Sequence, residues 1–202
     1  MKILNLYCGI GGNRKLWGDE HEVTAVEIDP KIAEIYQDFF PNDTVIVGDA
    51  HQYLLEHFKE FDFIWTSPPC PTHSRINKCF TAGNAKNPIR YPDMKLYEEI
   101  LLLQGYFNGK YVVENVVSFY EPLIKPYECG KHYYWSNFNI KNIKIKTRKH
   151  YGSIEELETL KGFNIEDRVG IDKIKTLRNC VEPEMGLHVL ECGIKQKQKT
   201  LF

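Results

Sequence analysis

Five short apolar runs along the chain are separated by segments whose apolar residues have helical spacing. The two clearest helical segments are 30–40 and 93–107, where apolar side chains recur every three or four positions. Short apolar runs bounded by turn residues are typical of strands buried on both faces of a parallel sheet. The pattern therefore predicts an α/β fold with a Rossmann-like, doubly wound, mostly parallel sheet. The predicted strands are Lys2–Leu6, Val23–Asp29, Thr44–Val47, Phe61–Trp65 and Lys110–Val113.

A glycine-rich turn follows the first predicted strand, and Asn13–Trp17 is predicted to begin a helix after it. Glycine at a strand-to-helix turn lets the backbone approach a ligand closely. Many tight turns have a similar composition, so this turn alone is weak support for a ligand site. Its residues are Tyr7, Cys8, Gly9, Ile10, Gly11 and Gly12.

Acidic residues close the next two predicted strands. Glu27 stands at about the interval at which nucleotide-binding folds place a carboxylate on ribose hydroxyls, with a solvated strand end as the alternative. Asp49 follows the third strand, where it could accept from an adenine amine. The chain lacks a Gly-Lys-Ser/Thr phosphate cradle, and these acids would repel phosphates. A cationic cofactor that carries adenosine, S-adenosylmethionine, therefore fits better than NAD or ATP.

Cys70 is placed on a stiff turn at the carboxyl end of the fourth predicted strand. Two prolines, Pro68 and Pro69, hold this stretch extended. Ligands bind at this edge of an open α/β sheet. A packed, unreactive thiol is the common state of free cysteine. Residues 66–92 contain no acid and four bases, and an electropositive setting lowers the pKa of a thiol. We therefore expect Cys70 to be a nucleophile, followed by a basic lid over an anionic polymer, or else by a merely solvated loop.

Glu114 ends the fifth predicted strand and so reaches the same edge of the sheet as Cys70. A carboxyl group at that edge is expected to be partly desolvated, which raises its pKa toward the range that is useful for an acid.

Composition limits the size and class of the protein but does not indicate its function. The chain has 202 residues, enough for one domain with a small appendage, and a formal net charge of -1. Residues 19–62 are acidic and residues 129–154 are basic, so one face could meet phosphates. The six cysteines lack zinc-knuckle spacing, and no secretion signal or membrane-spanning run is present. These features predict a cytoplasmic protein with no metal and no membrane partner, and they leave the oligomeric state open.

The motifs, in their order along the chain, resemble those of the cytosine-C5 DNA methyltransferases. The glycine turn resembles that family's first motif, Glu27 its second and Asp49 its third, while Pro69-Cys70 and Glu114-Asn115-Val116 resemble the catalytic motifs. Residues 131–138 look like the eighth motif of the vertebrate de novo enzymes. Residues 178–181, followed by a predicted helix over 183–192, are similar to the last motif.

The resemblance implies a mechanism and a set of binding residues. Cys70 would add to C6 of a flipped cytosine, Glu114 would contact N3 and the amine, and methyl transfer to C5 would leave S-adenosylhomocysteine as product. The partner would be double-stranded DNA. The implied cofactor residues beyond the glycine turn are Glu27, Ile28, Asp49, Ala50, Pro69, Asn179 and Val181. The expected nucleic-acid contacts are Ser74, Arg75, Lys78, Arg90, Lys131, Lys146 and Arg148.

This chain departs from the family pattern in three places. Pro71 follows the cysteine where glutamine is usual, and Gly130 and His132 stand where the eighth motif has arginines. Either His132 or Lys131 is expected to take the arginine's role, unless His132 is only a strand-face residue. The recognition region is short, which predicts a short or relaxed target sequence. We expect residues 1–140 to bind the cofactor and carry the chemistry, 141–178 to form a small recognition appendage with a basic edge strand, and 179–202 to return to the catalytic part.

Three other readings stay open from the sequence alone. The first is C5 methylation of RNA, including tRNA. The second is methylation of an exocyclic amine, because Ser67-Pro68-Pro69 is similar to that class's motif, although the presence of Cys70 and Glu114 disfavours it. The third is an inactive sensor of S-adenosylmethionine or a nucleic-acid-binding module.

Overall fold

The computed structural model describes residues 1–75, 90–143 and 152–195. Within these ranges, seven strands form one sheet in the order β3-β2-β1-β4-β5-β7-β6. The first five strands along the chain are parallel, and the β7 and β6 strands pair antiparallel at one edge. The predicted Rossmann-like, mostly parallel sheet is therefore confirmed. The strands are β1 (Lys2–Leu6), β2 (Glu22–Glu27), β3 (Thr44–Val47), β4 (Phe63–Thr66), β5 (Lys110–Val116), β6 (Tyr127–Cys129) and β7 (His132–Ser136).

Helices cover both faces of the sheet. Those predicted from the apolar spacing are present, and two short helices that the pattern did not predict, α2 and α5, are present as well. The described helices are α1 (Pro30–Phe39), α2 (Ala50–His57), α3 (Lys95–Tyr106), α4 (Ile154–Lys161), α5 (Lys173–Asn179) and α6 (Pro183–Lys195), with a 3-10 turn over Phe58–Glu60.

Alternation along the strands divides the core into two layers. One face of the sheet, with Leu4, Ile64 and Val113, packs against α2 and α3. The other face, with Phe63 and Val112, packs against α6. Because successive residues of the central strands point to opposite buried faces, these strands read as continuous apolar runs rather than as alternating ones.

The prediction that a helix begins at Asn13–Trp17 is wrong, because this segment is a run of turns. Its side chains are drawn into the core instead. Asn13 exchanges hydrogen bonds with Asn5 on β1 (2.8 and 3.3 Å), and Arg14 forms a buried ion pair with Asp43 (2.8 Å). The Trp17 indole donates to the carbonyl of Gly186 on α6 (3.1 Å). These long-range contacts outweigh the local helical preference.

The appendage helices α4 and α5 pack on α1 and on the glycine turn. They share an apolar cluster with Ile10 and Ile35, to which Leu157, Phe163 and Leu177 contribute. The basic edge strand that was predicted near Ile143 is absent from residues 140–143, and the remainder of that segment, 144–151, lies outside the described residues.

Candidate active site

Strand register brings the predicted nucleophile and acid to one edge of the sheet. β4 and β5 are parallel neighbours with Thr66 opposite Val113, so the residues that follow each of them continue along adjacent paths. The Asn115 side-chain amide donates to the carbonyl of Pro68 (3.0 Å), which ties the β5 end to the turn that carries Cys70. The sequence prediction that Cys70 and Glu114 arrive at a common edge therefore agrees with the strand pairing.

Cys70 is half-buried at the start of a helical turn, where its carbonyl accepts from the amides of His73 and Ser74 (3.0 Å each). Burial raises the pKa of the Cys70 thiol, and the charge of Glu114 raises it further. The expectation of a lowered thiol pKa is thus corrected for the part of the chain that the structure describes. The reason is that burial and a nearby carboxylate both disfavour the thiolate. The bases Lys78 and Lys86, on which the expectation partly rested, lie outside the described residues.

Glu114 is buried, with 7% of its surface exposed, and faces His132 on the neighbouring strand. One of its carboxylate oxygens lies 3.6 Å from Nε2 of His132, which is half-exposed. Glu182 lies close enough to this pair for the charge of His132 to lower its pKa slightly. Burial opposes ionisation of Glu182, but the Lys161 ammonium at 3.1 Å outweighs it and holds the pKa of Glu182 below its usual range.

The last predicted motif does return to the glycine turn. A Cβ atom on Gly12 would lie 2.4 Å from both Cys180 Sγ and the Val181 carbonyl oxygen, so only glycine fits this approach. Asn179, the other cofactor residue predicted here, is exposed at the end of α5. The contact closes the turn from the side of α6.

The carboxylate of Glu27 shapes the turn as well. It accepts from the backbone amides of Gly9 (3.0 Å), Ile28 (2.9 Å) and Asp29 (3.0 Å). A carboxylate has about four acceptor positions, so these amides of the described chain leave one for a ligand hydroxyl. Asp49 caps α2 through Oδ1, which accepts from His51 and Gln52 (2.8 and 3.2 Å), while about half of its side chain is exposed.

These residues fit an S-adenosyl cofactor. No heavy atom of the described chain lies within 4 Å of a Cβ built on Gly9 or Gly48, which leaves open space beside the turn. Ile28 (70% exposed) and Val47 (56% exposed) offer apolar surface at the ends of β2 and β3, against which the flat adenine ring of the cofactor can pack. The acids around them favour a cation over a phosphate.

A buried polar cluster beneath this edge has Glu99 at its centre. Glu99 accepts from the Tyr7 hydroxyl (2.7 Å), the Thr66 hydroxyl (2.6 Å) and the His51 ring (3.0 Å). Sequence reasoning missed both Glu99 and His51. The available signal was a glutamate between Leu96 and Ile100, on the apolar stripe of α3.

The predicted nucleic-acid residues are only partly placed. Ser74 pairs with Ser118 in an isolated bridge beside the Cys70 turn. Exposed positions are occupied by Arg75, Arg90 and Lys131. The remaining calls, Lys78, Lys146 and Arg148, lie outside the described residues.

Neither a metal-binding cluster nor a membrane-spanning helix is found in the described ranges. They contain no cluster of three or more histidine, cysteine or acidic side chains that could hold a metal ion. No helix in those ranges has the length and apolar character needed to cross a bilayer.

Comparison with known proteins gives the family. The model of the C-5 cytosine-specific DNA methylases matches residues 1–117, more than half of the chain. The chain belongs to this family. The match covers the glycine turn, Cys70 and Glu114, and membership implies S-adenosylmethionine as the cofactor.

Individual relatives of this methylase chain match shorter stretches. The tRNA (cytosine(38)-C(5))-methyltransferase of Homo sapiens is 29% identical over 84 residues, which are 39% of this chain and 22% of that protein. The Mus musculus enzyme of the same name is 30% identical over 82 residues, which are 38% of this chain and 20% of that protein. The chain therefore spans about a fifth of the length of the curated relatives it matches.

One solved structure aligns over nearly the whole chain. The Entamoeba histolytica methyltransferase EhMeth covers 96% of this chain, with 98% of its own chain aligned, a TM-score of 0.60 and 13% identity. At that identity the likeness shows the fold alone.

Proposed function

We propose that this protein is a cytosine-C5 methyltransferase that acts on duplex DNA through a covalent Cys70 adduct. The observation that carries the proposal is the convergence of a cysteine and a glutamate on the sheet edge beside the glycine turn. Asn115 ties the two turns together (3.0 Å), and the charge of Glu114 reaches the Cys70 thiol. A simple binding module would not need these two groups side by side.

The chemistry follows from the weak reactivity of cytosine C5. The thiolate of Cys70 adds to C6 and leaves C5 electron-rich, while Glu114, acting as an acid, contacts the amine and gives a proton to N3, so that the ring gains no net charge. S-adenosylmethionine supplies the methyl group on a sulfonium. Loss of the C5 proton then breaks the bond from C6 to sulfur and returns Cys70. The cytosine must leave the stack to reach this edge.

His132 completes the proposed catalytic set. It lies 3.6 Å from Glu114 on the adjacent strand and is half-exposed, so it can contact both Glu114 and a base in the pocket. A ring nitrogen of His132 would donate to the cytosine where the family usually has arginine. Residues 1–140 would hold this chemistry, with residues 179–202 closing the cofactor pocket and 141–178 assigned to recognition.

A second candidate is C5 methylation of tRNA. It is favoured by the names of the human and mouse relatives, which match about two fifths of this chain. The two candidates share every catalytic residue and differ only in the polymer that is bound.

Covalent trapping tests the proposal. A base with fluorine at C5 cannot lose the proton that releases the enzyme, so the adduct persists. With S-adenosylmethionine present, we expect duplex DNA that contains 5-fluorocytosine in random sequence to attach to Cys70. The Cys70→Ala variant should give no adduct, and Cys192→Ala, which removes another thiol, should trap as wild type does.

The same assay distinguishes the substrates. Fluorocytosine-containing tRNA is run beside the duplex at equal concentration. Faster trapping of tRNA would replace DNA by RNA in the proposal. Attachment that survives Cys70→Ala, or no attachment to either polymer, would contradict the catalytic assignment itself.

A further inference from the structure

Glu99 is a fully buried carboxylate that connects three separate segments of the site. It lies on α3 with 0% exposure. One oxygen accepts from the Tyr7 hydroxyl (2.7 Å) and lies 3.0 Å from Nδ1 of His51. The other accepts from the Thr66 hydroxyl (2.6 Å). A carboxylate oxygen accepts, so the His51 nitrogen carries the proton in this contact.

Each partner belongs to a segment that borders the proposed cofactor or catalytic site. Tyr7 begins the glycine turn at the end of β1. Thr66 is the last residue of β4 and immediately precedes the turn that presents Cys70. His51 lies in the first turn of α2, which Asp49 caps. One side chain therefore fixes the ends of two strands and the start of a helix relative to one another.

The backbone at Tyr7 depends on this attachment. Its φ of 54° is left-handed, a conformation that residues other than glycine rarely adopt without support from their surroundings. The bond from the Tyr7 hydroxyl to Glu99 is a long-range contact, across 92 residues, that holds the side chain in place. Burial, together with Glu99, raises the pKa of the Tyr7 phenol, so it remains a donor.

His51 matches the buried charge. An ionised carboxylate inside a protein is stable only when it is paired and hydrogen-bonded. The hydrogen bond to Glu99 raises the pKa of His51, and Nε2 of the same ring lies 3.4 Å from the mostly exposed Glu98.

We infer that Glu99 is a positioning residue that holds the glycine turn, the Cys70 turn and the start of α2 in the arrangement that binds the cofactor. The inference rests on the proposed function, because it assigns Glu99 a role at that same site. Glu99 itself acts through Tyr7, Thr66 and His51.

Cofactor binding without turnover is the direct test. Affinity for S-adenosylhomocysteine is measured by isothermal titration calorimetry for the wild type, Glu99→Gln and Glu98→Gln, below the unfolding midpoint of each. Glutamine keeps the size of Glu99 and removes its charge, so we expect binding at least tenfold weaker. Glu98→Gln, which changes the adjacent exposed carboxylate, should bind within twofold of wild type.

Two further measurements separate positioning from general stability. The His51 ring is titrated by NMR, and its pKa should fall in Glu99→Gln and fall less in Glu98→Gln, because the hydrogen bond to Glu99 raises it more than the charge of Glu98 does. Tyr7→Phe removes a single hydroxyl from the glycine-turn segment, and we expect three- to tenfold weaker binding from it. Tyr7→Phe and Thr66→Val carry the test if Glu99→Gln does not fold.

The outcomes are distinct. If the wild type binds S-adenosylhomocysteine and the folded Glu99, Tyr7 and Thr66 variants bind it with the same affinity, the positioning role alone is overturned. Absence of binding by the wild type would overturn the proposed function, and the positioning role with it.

Discussion

At the scale of single residues, Cys70 is a thiol whose pKa is raised by burial and then by Glu114. The same carboxylate that would contact the base therefore works against the thiolate while the pocket is empty. A base whose N3 shares a proton with Glu114 would neutralise this charge and remove part of the opposition. Reactivity of the sulfur is thus coupled to occupancy of the pocket.

This coupling predicts a pH profile. Alkylation by iodoacetamide requires the thiolate, so the raised pKa moves the rate curve of Cys70 to higher pH than that of an ordinary thiol. Glu114→Gln removes the opposing charge, and we expect Cys70 to react at least about threefold faster at pH 7.5. Peptide mass spectrometry measures the rate at Cys70 alone, with the exposed Glu128→Gln as matched control. Equal rates in the wild type and Glu114→Gln would contradict the coupling.

Buried polar residues mark the limit of what the sequence predicts about the site. Cys70 and Glu114 were found because each follows an apolar strand, and parallel pairing then fixes their common edge. Glu99 was not found, because a glutamate in a helix normally faces solvent and only its burial and its three hydrogen-bond partners show otherwise. The pKa of Cys70 was predicted in the wrong direction, because only the positive charges of its sequence neighbours were counted, and neither burial of the thiol nor the negative charge of its spatial neighbour Glu114 was.

At the scale of elements, two helical glycines differ in how closely the rest of the chain approaches them. A Cβ on Gly186 of α6 would lie 2.2 Å from the Asn13 carbonyl oxygen and 2.5 Å from its Cα, both backbone atoms. Gly105 of α3 has no heavy atom of the described chain within 4 Å of such a Cβ. The first glycine is required by packing and the second is not.

Alanine substitutions at these glycines should therefore have opposite effects. Gly186→Ala forces α6 away from the turn at Asn13 and should lower the free energy of unfolding by about 2 kcal/mol or more. Gly105→Ala removes only unfolded-state entropy and should raise it by roughly 0.5–1 kcal/mol. Urea denaturation measures both. A loss of stability in Gly105→Ala would show that α3 is constrained at that position.

Elements with strong periodicity were the predictable ones. The strands β1 to β5 and the helices α1 and α3 were expected from apolar spacing, and α6 was expected from the resemblance to the last family motif. The short α2 and α5 carry too few apolar positions to show a period, and at residues 13–17 the side chains serve the core instead of a helix.

At the scale of the whole molecule, charge separates two parts of the recognition region. Residues 154–172 carry six acids against Lys161 and Arg168, and both bases are paired, with Glu182 and Asp38 respectively. These residues also pack on α1, beside the glycine turn. Phosphate contacts are therefore better assigned to the basic residues of 141–149 and to the segment after Cys70.

Salt dependence tests this assignment. Replacing Lys146 and Arg148 by alanine removes two phosphate partners, so the slope of log affinity for duplex DNA against log salt should fall by about 2. Glu155→Gln with Asp167→Asn, two exposed acids of the appendage, should leave the slope within about half a unit. Fluorescence anisotropy over a salt series gives both slopes. An unchanged slope in the first variant would place the phosphates elsewhere.

The hydrogen bond from Trp17 to Gly186 joins residues 169 positions apart. At synthesis rates of about 5–20 residues per second, Trp17 emerges on the order of ten to thirty seconds before its partner. During that interval the sheet face that contains Phe63 and Val112 has no α6 to cover it. The nascent chain consequently presents an apolar surface to chaperones until the last described helix leaves the ribosome.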